Sequence, residues 1–537
     1  MNFSTIDLII FATYCILILG VGLFVSRDKK GHQKNAEDYF LASKALPWWA
    51  IGASLIAANI SAEQFIGMSG AGFASGLAIA SYEWMAAITL LIVGKYFLPI
   101  FMEKRIYTIP EFVEKRFSMQ LKTILAVFWI ALFVFVNLTS VLYLGALAIE
   151  SIIGIPMVYG IIGLALFAAA YSLYGGLSAV AWTDVIQVFF LVLGGIFTTY
   201  LALNTLSDGE GWIAGFGQVL EAAPDRFHMI LDKSNPEYSN LPGIWVLIGG
   251  LWVANLYYWG FNQYIIQRTL AAKSLREAQR GIVMAAFLKL LIPFIVVLPG
   301  IVAFIMVNDP EIMARLGDGA LNNLPSQGAS DKAYPWLLQM LPTGMKGIAF
   351  AALTAAIVSS LASMLNSTST IFTMDIYQTY INKNASDKET VNMGRLSAAV
   401  ALVIACVMAP LLGGIDQAFQ FIQEYTGIVS PGILSVFILG LFWKKTTNRA
   451  AILGAVASIP IAIAFKFVPD MPFMNQMGLT ALITMGITMV LSYVEGKGQD
   501  DEKGIPLTGD LFKTGAVFNV SAFAVLIICA VLYALFW

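Results

Sequence analysis

Charged residues, histidine and cysteine are all scarce in this chain. Of its 537 residues 12% are charged, whereas charged residues make up about a quarter of a soluble domain. Two histidines leave little for a histidine-based metal or catalytic centre, and the three cysteines lie inside apolar runs, as small hydrophobic residues do. A Gly-rich phosphate loop ending in Lys-Ser or Lys-Thr is also missing, so ATP-driven transport finds no support. A plausible nucleophile–base set is missing too, which argues against an enzyme.

What the chain has instead is apolar sequence, because 58% of its residues are hydrophobic. The formal net charge of −2 offers no basic surplus to neutralise phosphates, so no nucleic-acid partner is expected. The first apolar run lacks a basic leading region and a cleavage-site pattern, so we expect it to be retained rather than removed as a signal peptide. The composition therefore predicts a protein of the lipid bilayer.

Apolar runs of about 17–25 residues are long enough to cross a bilayer as helices. The chain holds about fourteen of them, which predicts an all-α polytopic membrane protein with about fourteen transmembrane helices. The runs are 5–26, 48–70, 78–101, 123–150, 156–174, 183–205, 242–267, 280–306, 345–378, 394–412, 415–441, 450–467, 474–494 and 516–536.

Lysine and arginine concentrate in every second connection between these runs. If the N-terminus is outside, the inner loops hold Arg27, Lys29, Lys30, Lys34 and Lys44; Lys104, Arg105, Lys115, Arg116 and Lys122; Arg268, Lys273, Arg276 and Arg280; Lys383, Lys388 and Arg395; Lys444, Lys445 and Arg449; and Lys497, Lys503 and Lys513. The outer loops hold only Arg226, Lys233, Arg315, Lys332 and Lys346. By the positive-inside rule both termini are predicted to lie outside. The long loops 206–241 and 307–344 then also lie outside, either as short helical pieces over an entrance or as ordinary solvated loops.

The stretch 53–70 is apolar overall but has a polar middle, made by Asn59, Ser61, Glu63 and Gln64. Irregular backbone at membrane depth is tolerated only where it is buried in protein or lines a cavity. We therefore predict a broken helix that carries part of a solute site. The sequence suggests no role for Glu63.

The run 249–268 repeats this pattern, with Val-Ala-Asn followed by a polar and aromatic second half. Runs two to six and seven to eleven form two groups of five, and because five is odd the second group enters the membrane with opposite topology. Interrupted helices at corresponding positions of inverted halves mark the midplane site of secondary transporters. The alternative is a chance Ala-Asn match.

Glu83 and Lys289 are ionisable residues in the middle of apolar runs. A lone charge at the bilayer centre costs at least about 2.5–3.5 kcal/mol, so both are expected to face the bundle interior or an aqueous cavity. Together they could offset each other and bind hydroxyl groups of a solute, or they could only lock the bundle. Neighbouring aromatic residues suit the apolar faces of a sugar ring, although many of them could equally be packing.

Ser359, Ser360 and Ser363 bring three hydroxyls within about one helical turn, flanked by alanine. Hydroxyl and carbonyl oxygens are hard ligands that suit a small hard cation. Close packing of small residues explains the pattern equally well. Asp184 opens the sixth run, either as an N-cap or on a cation path. Glu424 has no independent role in this interpretation.

These stretches resemble the sodium:solute symporter family, and within it the sugar carriers, along nearly the full chain. The matching segments are SLIAANISAEQFIGMSG, ASYEWM, IYTIPEFVEKRF, YGGLSAVAWTDVIQ, LWVANLYYWGFNQYIIQRTLAAKS, AAIVSSLASMLNS and QFIQEYTG. The resemblance implies the five-plus-five inverted-repeat fold of the leucine-transporter class, in which the first helix of each repeat is broken. It also implies the bacterial inner (plasma) membrane and sodium as the co-transported ion.

By this resemblance, the sugar-binding residues are Gln64, Glu83, Asn255, Lys289 and Gln423, with Asn59 close by. The outer gate is formed by Met68, Tyr82 and Phe419, and the inner gate by Tyr258 and Trp259. Sodium is bound by the carbonyls of Ala57, Ile60 and Ala356 and by the hydroxyls of Ser359 and Ser360, and Asp184 lies on its inward exit path. Ala86 stands where the sugar carriers have a serine. The missing hydroxyl contact is worth about 0.5–1.5 kcal/mol, so the choice between galactose and glucose stays open.

The function predicted from these residues is sodium-coupled import of a galactose- or glucose-type hexose by alternating access. The alternatives are a family member that carries another small solute, such as an amino or organic acid, and a passive sugar facilitator. The expected organisation is an extra helix in 1–30, a first half in 47–205, the outer loop 206–241, a second half in 242–467 that includes 307–344, and additional helices in 468–537. The sequence makes no prediction about oligomeric state.

Overall fold

The computed structural model describes residues 4–25, 27, 35–106, 108–413 and 417–537. Within them all regular secondary structure is helical, apart from one isolated bridge between Leu46 and Ala272. The predicted all-α class is therefore confirmed. Lys29, Lys30 and Lys34 of the first predicted inner loop, and the first two residues of the run 415–441, lie outside the described residues.

Long helices in chain order make the bundle. They are α1 (Thr5–Val25), α2 (Trp48–Asn59), α3 (Glu63–Met68 continued by Ser69–Ser75), α4 (Ser81–Ile92 continued by Val93–Phe97 and Leu98–Glu103), α5 (Ile109–Arg116), α6 (Met119–Ile153), α7 (Met157–Leu206), α8 (Gly250–Leu256 continued by Tyr257–Phe261), α9 (Gln263–Leu270), α10 (Leu275–Asn308), α11 (Met345–Ile381), α12 (Asp387–Met408), α13 (Ala418–Phe442), α14 (Asn448–Lys466), α15 (Phe473–Glu495) and α16 (Ala516–Leu535). Several begin at a side-chain cap, because Thr108, Ser118, Ser274, Ser386 and Thr447 each accept a bond from the backbone N–H three residues on.

In the described part of the chain, eleven helices are long and apolar enough to cross a membrane, or up to twelve if one bent pair counts as a span. The prediction of about fourteen is higher for identifiable reasons. The run 48–70 is divided by a break, and its second part joins the next span as Glu63–Glu103. The run 156–174 contributes only the shorter apolar helix Met157–Ala170. The exact number of spans stays a prediction.

The structure interrupts the helix in the polar middle of 53–70, as predicted. Ile60 has extended backbone angles (φ −77°, ψ 101°) after the last residue of α2, and π-helical Glu63–Met68 follows. Side chains replace the lost ladder bonds. Gln64 Oε1 accepts from the Ser61 N–H at 2.9 Å, and Ser61 Oγ accepts from the Glu63 N–H at 3.0 Å. This local satisfaction explains how an irregular backbone is stable in the buried interior.

The predicted twin of this segment is also interrupted. Asn262 is extended (φ −86°, ψ 121°) between π-helical Tyr257–Phe261 and α9. A second discontinuity lies at Gly249, where the helical segments on either side are bent by 78°. Each of the two predicted positions therefore carries an interrupted helix.

Helices α7 and α11 form the most extensive helix–helix contact among the described residues. A Cβ on Gly194 of α7 would lie 2.4 Å from the Cβ of Ala352 on α11, so glycine permits the approach. Small residues are the usual means of bringing membrane helices together. The α7–α11 seam thus joins the predicted serine cluster to Asp184.

Helix α7 is kinked at Gly176, which has φ 63° and ψ −153°. A Cβ there would lie 2.3 Å from the carbonyl oxygen of Tyr39, so both backbone and space require glycine. Asp184 lies eight residues beyond the kink, inside a continuous helix. The N-cap alternative for Asp184 is therefore wrong.

The charge pattern assigns Arg116, Lys122 and Arg268 to inner loops, whereas the structure places all three on helices. They lie on α5, α6 and α9 and are only 2%, 5% and 0% exposed. Arg116 Nε donates to the Gly440 carbonyl at 3.0 Å, and its Nη1 pairs with Asp501 at 3.2 Å. Burial lowers the pKa of Arg116, and the Asp501 carboxylate acts in the opposite direction. Carbonyls and carboxylates thus replace water around a buried cation.

The two long loops contain the expected short helical pieces: Trp212–Ala222, Pro310–Leu316 and Ala333–Gln339. Both loops contact the bundle at segments that carry predicted gate residues. Arg226 Nη1 donates to the carbonyl of Phe73 at 3.0 Å near the end of α3. Asp331 Oδ2 accepts from the Ala418 N–H at 3.0 Å, at the first residue of α13. The loops therefore lie over the helix ends that lead to the predicted gate residues Met68 and Phe419.

Candidate functional site

A buried ion pair lies at the centre of the bundle, between α4 and α10. Lys289 Nζ pairs with Glu83 and donates to the side-chain oxygen of Asn59, and the three side chains are 1%, 3% and 7% exposed. The Lys289 ammonium also lies 5.2 Å from the ring centroid of Trp259. Since removing one partner of a buried pair costs about 3–5 kcal/mol, each charge depends on the other.

The same cluster reaches the second interrupted helix through Tyr258. Asn59 Nδ2 donates to the Tyr258 hydroxyl at 2.9 Å, and the Tyr264 hydroxyl donates to the same Tyr258 oxygen at 2.8 Å. The Tyr258 and Trp259 rings lie 5.2 Å apart, nearly perpendicular. The predicted inner-gate residues thus close directly on the end of α2.

Three further predicted substrate residues lie on the interrupted helices and on α13. Gln64 and Asn255 are buried in the two interrupted helices, and Asn255 Nδ2 has no hydrogen-bond partner among the described residues. Gln423 is half-buried on α13, one turn beyond Phe419. The structure therefore joins Asn59, Glu83 and Lys289 by contacts, and among the other three it leaves the amide nitrogen of Asn255 without a partner.

Two of the predicted outer-gate residues pack against each other, and the third is buried. The rings of Tyr82 and Phe419 lie 5.0 Å apart in an edge-to-face arrangement, and Met68 is fully buried. The backbone of Gly67 lies directly against Phe419, since a Cβ there would be 2.9 Å from the Phe419 Cβ. Sequence reasoning missed Gln420, a buried residue whose Oε1 accepts from the Tyr82 hydroxyl at 3.5 Å.

The break after α2 frees carbonyl oxygens at the predicted sodium site. In a continuous helix, Ala57 O and Ile60 O would accept from the N–H groups of residues 61 and 64. Here the Ser61 N–H donates to a side chain, and the Gln64 N–H donates to the Ser61 carbonyl at 3.2 Å. Such carbonyls are suitable ligands for a hard cation.

The predicted hydroxyl ligands lie opposite, on α11. Ser360 Oγ donates to the Ala58 carbonyl at 3.0 Å and so joins α11 to the last turn of α2. Ser359 Oγ donates to Asp184 Oδ1 at 2.5 Å, and Ala356 is fully buried one turn earlier. A hydroxyl that donates its proton keeps its lone pairs free for a cation. The arrangement therefore offers neutral oxygens from two helices at one level.

Sequence reasoning missed the partners of Asp184. Ser54 Oγ donates to Asp184 Oδ2 at 2.5 Å, and Arg268 Nη2 lies 3.7 Å from the same oxygen. Arg268 Nε also donates to Ser54 at 2.8 Å, and its other groups bond Ser363 and the Tyr264 carbonyl. Arg268 is followed by Thr-Leu-Ala-Ala-Lys, which resembles the start of a basic loop, so no pattern in the sequence signals that Arg268 is buried.

The two acidic residues without a predicted role differ in their surroundings. Glu424 on α13 pairs with Lys466 at the end of α14, where both are partly exposed, so it links two helices. Glu63 is 8% exposed, and its Oε1 has no hydrogen-bond partner among the described residues. Glu424 therefore has a structural role, and Glu63 stays without an assigned role.

Interrupted helices around a buried polar cluster, in a bundle of apolar spans, define a solute transporter of the membrane. The sequence pattern of the sodium:solute symporter family matches residues 39–458. The chain is 68% identical over 535 residues to the sodium/glucose cotransporter of Vibrio parahaemolyticus, which covers 99% of this chain and 98% of that protein. It is 34% identical over 480 residues to the sodium/myo-inositol cotransporter 2 of Homo sapiens, covering 85% and 69% of the two chains.

A solved structure, the substrate-bound outward-open state of a Na⁺-coupled sialic acid symporter, has the same fold. Its TM-score is 0.80 at 24% identity, covering 92% of this chain and 98% of the other. Together with the sequence matches, these findings establish that the chain belongs to the sodium:solute symporter family. It is a multi-pass membrane protein that transports a solute with sodium, and it is not an enzyme.

Proposed function

We propose that this symporter imports a hexose of the glucose or galactose type by alternating access. The observation that carries the proposal is the buried cluster of Lys289, Glu83 and Asn59 between two interrupted helices. A cluster that is neutral overall but rich in donors and acceptors suits a neutral polyhydroxy solute better than an anion. The 68% identity to a sodium/glucose cotransporter supports the choice of a hexose.

The sugar-binding residues in this proposal are Gln64, Glu83, Asn255, Lys289 and Gln423, with Asn59 next to them. The unpartnered amide of Asn255 supports its role, because a buried donor without a partner is stabilised when a ligand hydroxyl accepts from it. Ala86 is buried on α4 one turn from Glu83 and offers no hydroxyl there. We expect weaker recognition of the sugar hydroxyl that a serine at this position would bind.

The sodium ligands are the carbonyls of Ala57, Ile60 and Ala356 and the hydroxyls of Ser359 and Ser360. The freed carbonyls at the break and the bond between Ser360 and Ala58 support this assignment. Sodium bound there orders the segment that ends α2, and that segment carries Asn59 towards the sugar cluster. The coupling is reciprocal, so sugar raises the affinity for sodium by the same factor.

The gates are Met68, Tyr82 and Phe419 on the outer side and Tyr258 with Trp259 on the inner side. Both termini lie outside in this proposal, and sodium leaves inward past Asp184. The close ring contacts within each proposed gate support a site that opens to one side at a time.

The proposed organisation keeps about fourteen spans, two inverted halves (47–205 and 242–467), one preceding helix in 1–30 and additional helices in 468–537. The interrupted helices α2–α3 and α8–α9, which occupy corresponding positions in the two halves, support it. In this organisation the outer loops 206–241 and 307–344 lie on the side of the outer gate.

Sodium coupling supplies enough energy for concentrative uptake. One sodium entering down 100 mV contributes about 2.3 kcal/mol. A tenfold sodium gradient adds about 1.4 kcal/mol, so together they support about 500-fold accumulation of sugar.

Uptake of labelled glucose and galactose into proteoliposomes with an imposed sodium gradient tests the proposal. We expect uphill accumulation that disappears when choline replaces sodium. Accumulation that survives the replacement overturns sodium symport, and downhill equilibration alone indicates a facilitator.

The solute class is tested with myo-inositol and proline as additional substrates in the same vesicles. The 34% identical human relative is a sodium/myo-inositol cotransporter, which makes a cyclic polyol the second candidate. Sodium-dependent uptake of myo-inositol without hexose uptake selects that candidate. Uptake of proline without uptake of the hexoses or of myo-inositol selects an amino-acid carrier of the same family.

A further inference from the structure

Gln187 lies on α7 one turn from Asp184 and is 0% exposed. Neither its Oε1 nor its Nε2 has a hydrogen-bond partner among the described residues. A buried amide without partners is less favourable than an apolar side chain of the same shape. Its presence in the interior therefore points to a partner that binds from outside the protein.

Two contacts along the α7–α11 seam define what Gln187 faces. Asp184 Oδ1 accepts from Ser359 Oγ at 2.5 Å, and a Cβ on Gly194 would meet the Cβ of Ala352 at 2.4 Å. Residue numbers rise along α7 while they fall along α11, so the two helices are antiparallel here. Gln187 lies three residues from Asp184 and seven from Gly194, on the same helical stripe. It therefore faces the turn of α11 between Ala352 and Ser359.

That turn carries part of the proposed sodium site. Ala356 lies on it, and Ser360 Oγ on the next turn donates to the Ala58 carbonyl at 3.0 Å. The Ala58 carbonyl belongs to the last turn of α2, where the Ala57 carbonyl is freed by the break. Gln187 thus brings an amide group from a third helix to the level at which α2 and α11 meet.

We propose that Gln187 is a further ligand of the transported sodium and contributes its Oε1. The inference rests on the proposed sodium site and extends it from two helices to three. An amide oxygen is a hard, neutral ligand of the kind that suits a small cation. Its Nε2 then donates towards Asp184 one turn away, whose carboxylate has lone pairs beyond those used by Ser54 and Ser359.

Gln187→Leu tests the role of the oxygen, because leucine has a similar size and no ligand atom. The matched control is Thr198→Val on the same helix, since the Thr198 hydroxyl donates to the Gly194 carbonyl of its own helix at 2.8 Å and accepts only a long bond, of 3.4 Å, from the Tyr334 hydroxyl. The measurements are the sodium concentration for half-maximal sugar uptake in proteoliposomes and the rise in unfolding temperature caused by sodium in detergent.

We expect Gln187→Leu to raise the half-activating sodium concentration about tenfold, as for the loss of one charge-assisted contact, and to reduce the stabilisation by sodium. Thr198→Val is expected to match the wild type in both measurements. An unchanged sodium response in folded Gln187→Leu overturns the inference. A wild-type protein without sodium dependence overturns the proposed function instead, so the two failures are distinguishable.

Gln187→Glu provides a second variant that keeps an oxygen ligand at the same position. We expect its half-activating sodium concentration to stay within about threefold of the wild type, because the carboxylate still binds the cation. A tenfold weakening in this variant overturns the inference even if Gln187→Leu does not fold.

Discussion

The pair formed by Glu83 and Lys289 predicts a pattern of stabilities in single and double variants. Both side chains are at most 4% exposed, so water cannot compensate a charge that loses its partner. Truncating one member of a buried pair costs about 3–5 kcal/mol of unfolding free energy. In Glu83→Gln the ammonium keeps Asn59 as an acceptor, so the loss is near 3 kcal/mol. In Lys289→Met the carboxylate loses its cation, so the loss is near 5 kcal/mol.

The double variant Glu83→Gln/Lys289→Met removes both charges and is expected to recover most of the stability of the wild type. Thermal unfolding of purified protein, followed by tryptophan fluorescence, ranks the four proteins. Sugar uptake is expected to stay lost in all three variants, because each lacks part of the polar cluster. A double variant no more stable than the weaker single variant would refute the reasoning, since the charges would then not depend on each other.

Three further substitutions test individual residues of the site. Ser360→Ala removes a hydroxyl that bonds the Ala58 carbonyl, and we expect about tenfold weaker sodium activation with little change in intrinsic sugar affinity; unchanged activation excludes a ligand role. Gln64→Ala is expected to abolish saturable sugar uptake while the purified protein keeps its cooperative thermal transition, and wild-type kinetics would show that the sugar binds elsewhere. Ala86→Ser adds a hydroxyl and is expected to lower the half-saturating concentration of one hexose epimer about 2- to 12-fold. Equal effects on glucose and galactose count against a specific contact.

The interrupted helices could be predicted because polar residues are costly in an apolar run unless the backbone itself is exceptional there. Asn59 and Gln64 signalled the first break, and the Val-Ala-Asn of residues 253–255 signalled the second. The structure has an extended residue at Ile60, next to the first signal, and another at Asn262, seven residues after Asn255. A local pattern therefore suffices where the cause is local.

The burial of Arg268 could not be predicted, because its cause is not local. Its partners Ser54, Asp184 and Ser363 come from three other helices and are far away in sequence. Charge counting therefore treats a fully desolvated guanidinium as a loop cation. The break at Ile60 likewise divides one apolar run between two helical units, so the number of spans stays a prediction.

Buried polar groups near the site fall into two sets with different consequences. Asp184 and Arg268 are satisfied by each other and by serine hydroxyls, so they hold α7, α9 and their neighbours in one arrangement. Asn255 and Gln187 have amide atoms without partners among the described residues, so each destabilises its helix pair until a ligand arrives. A ligand that satisfies such a group gains the desolvation free energy already spent in folding. In the proposed sites the sugar satisfies Asn255 and sodium satisfies Gln187, so each ligand would favour the conformation in which its group is bound, which is the differential stabilisation that coupling between ion and solute requires.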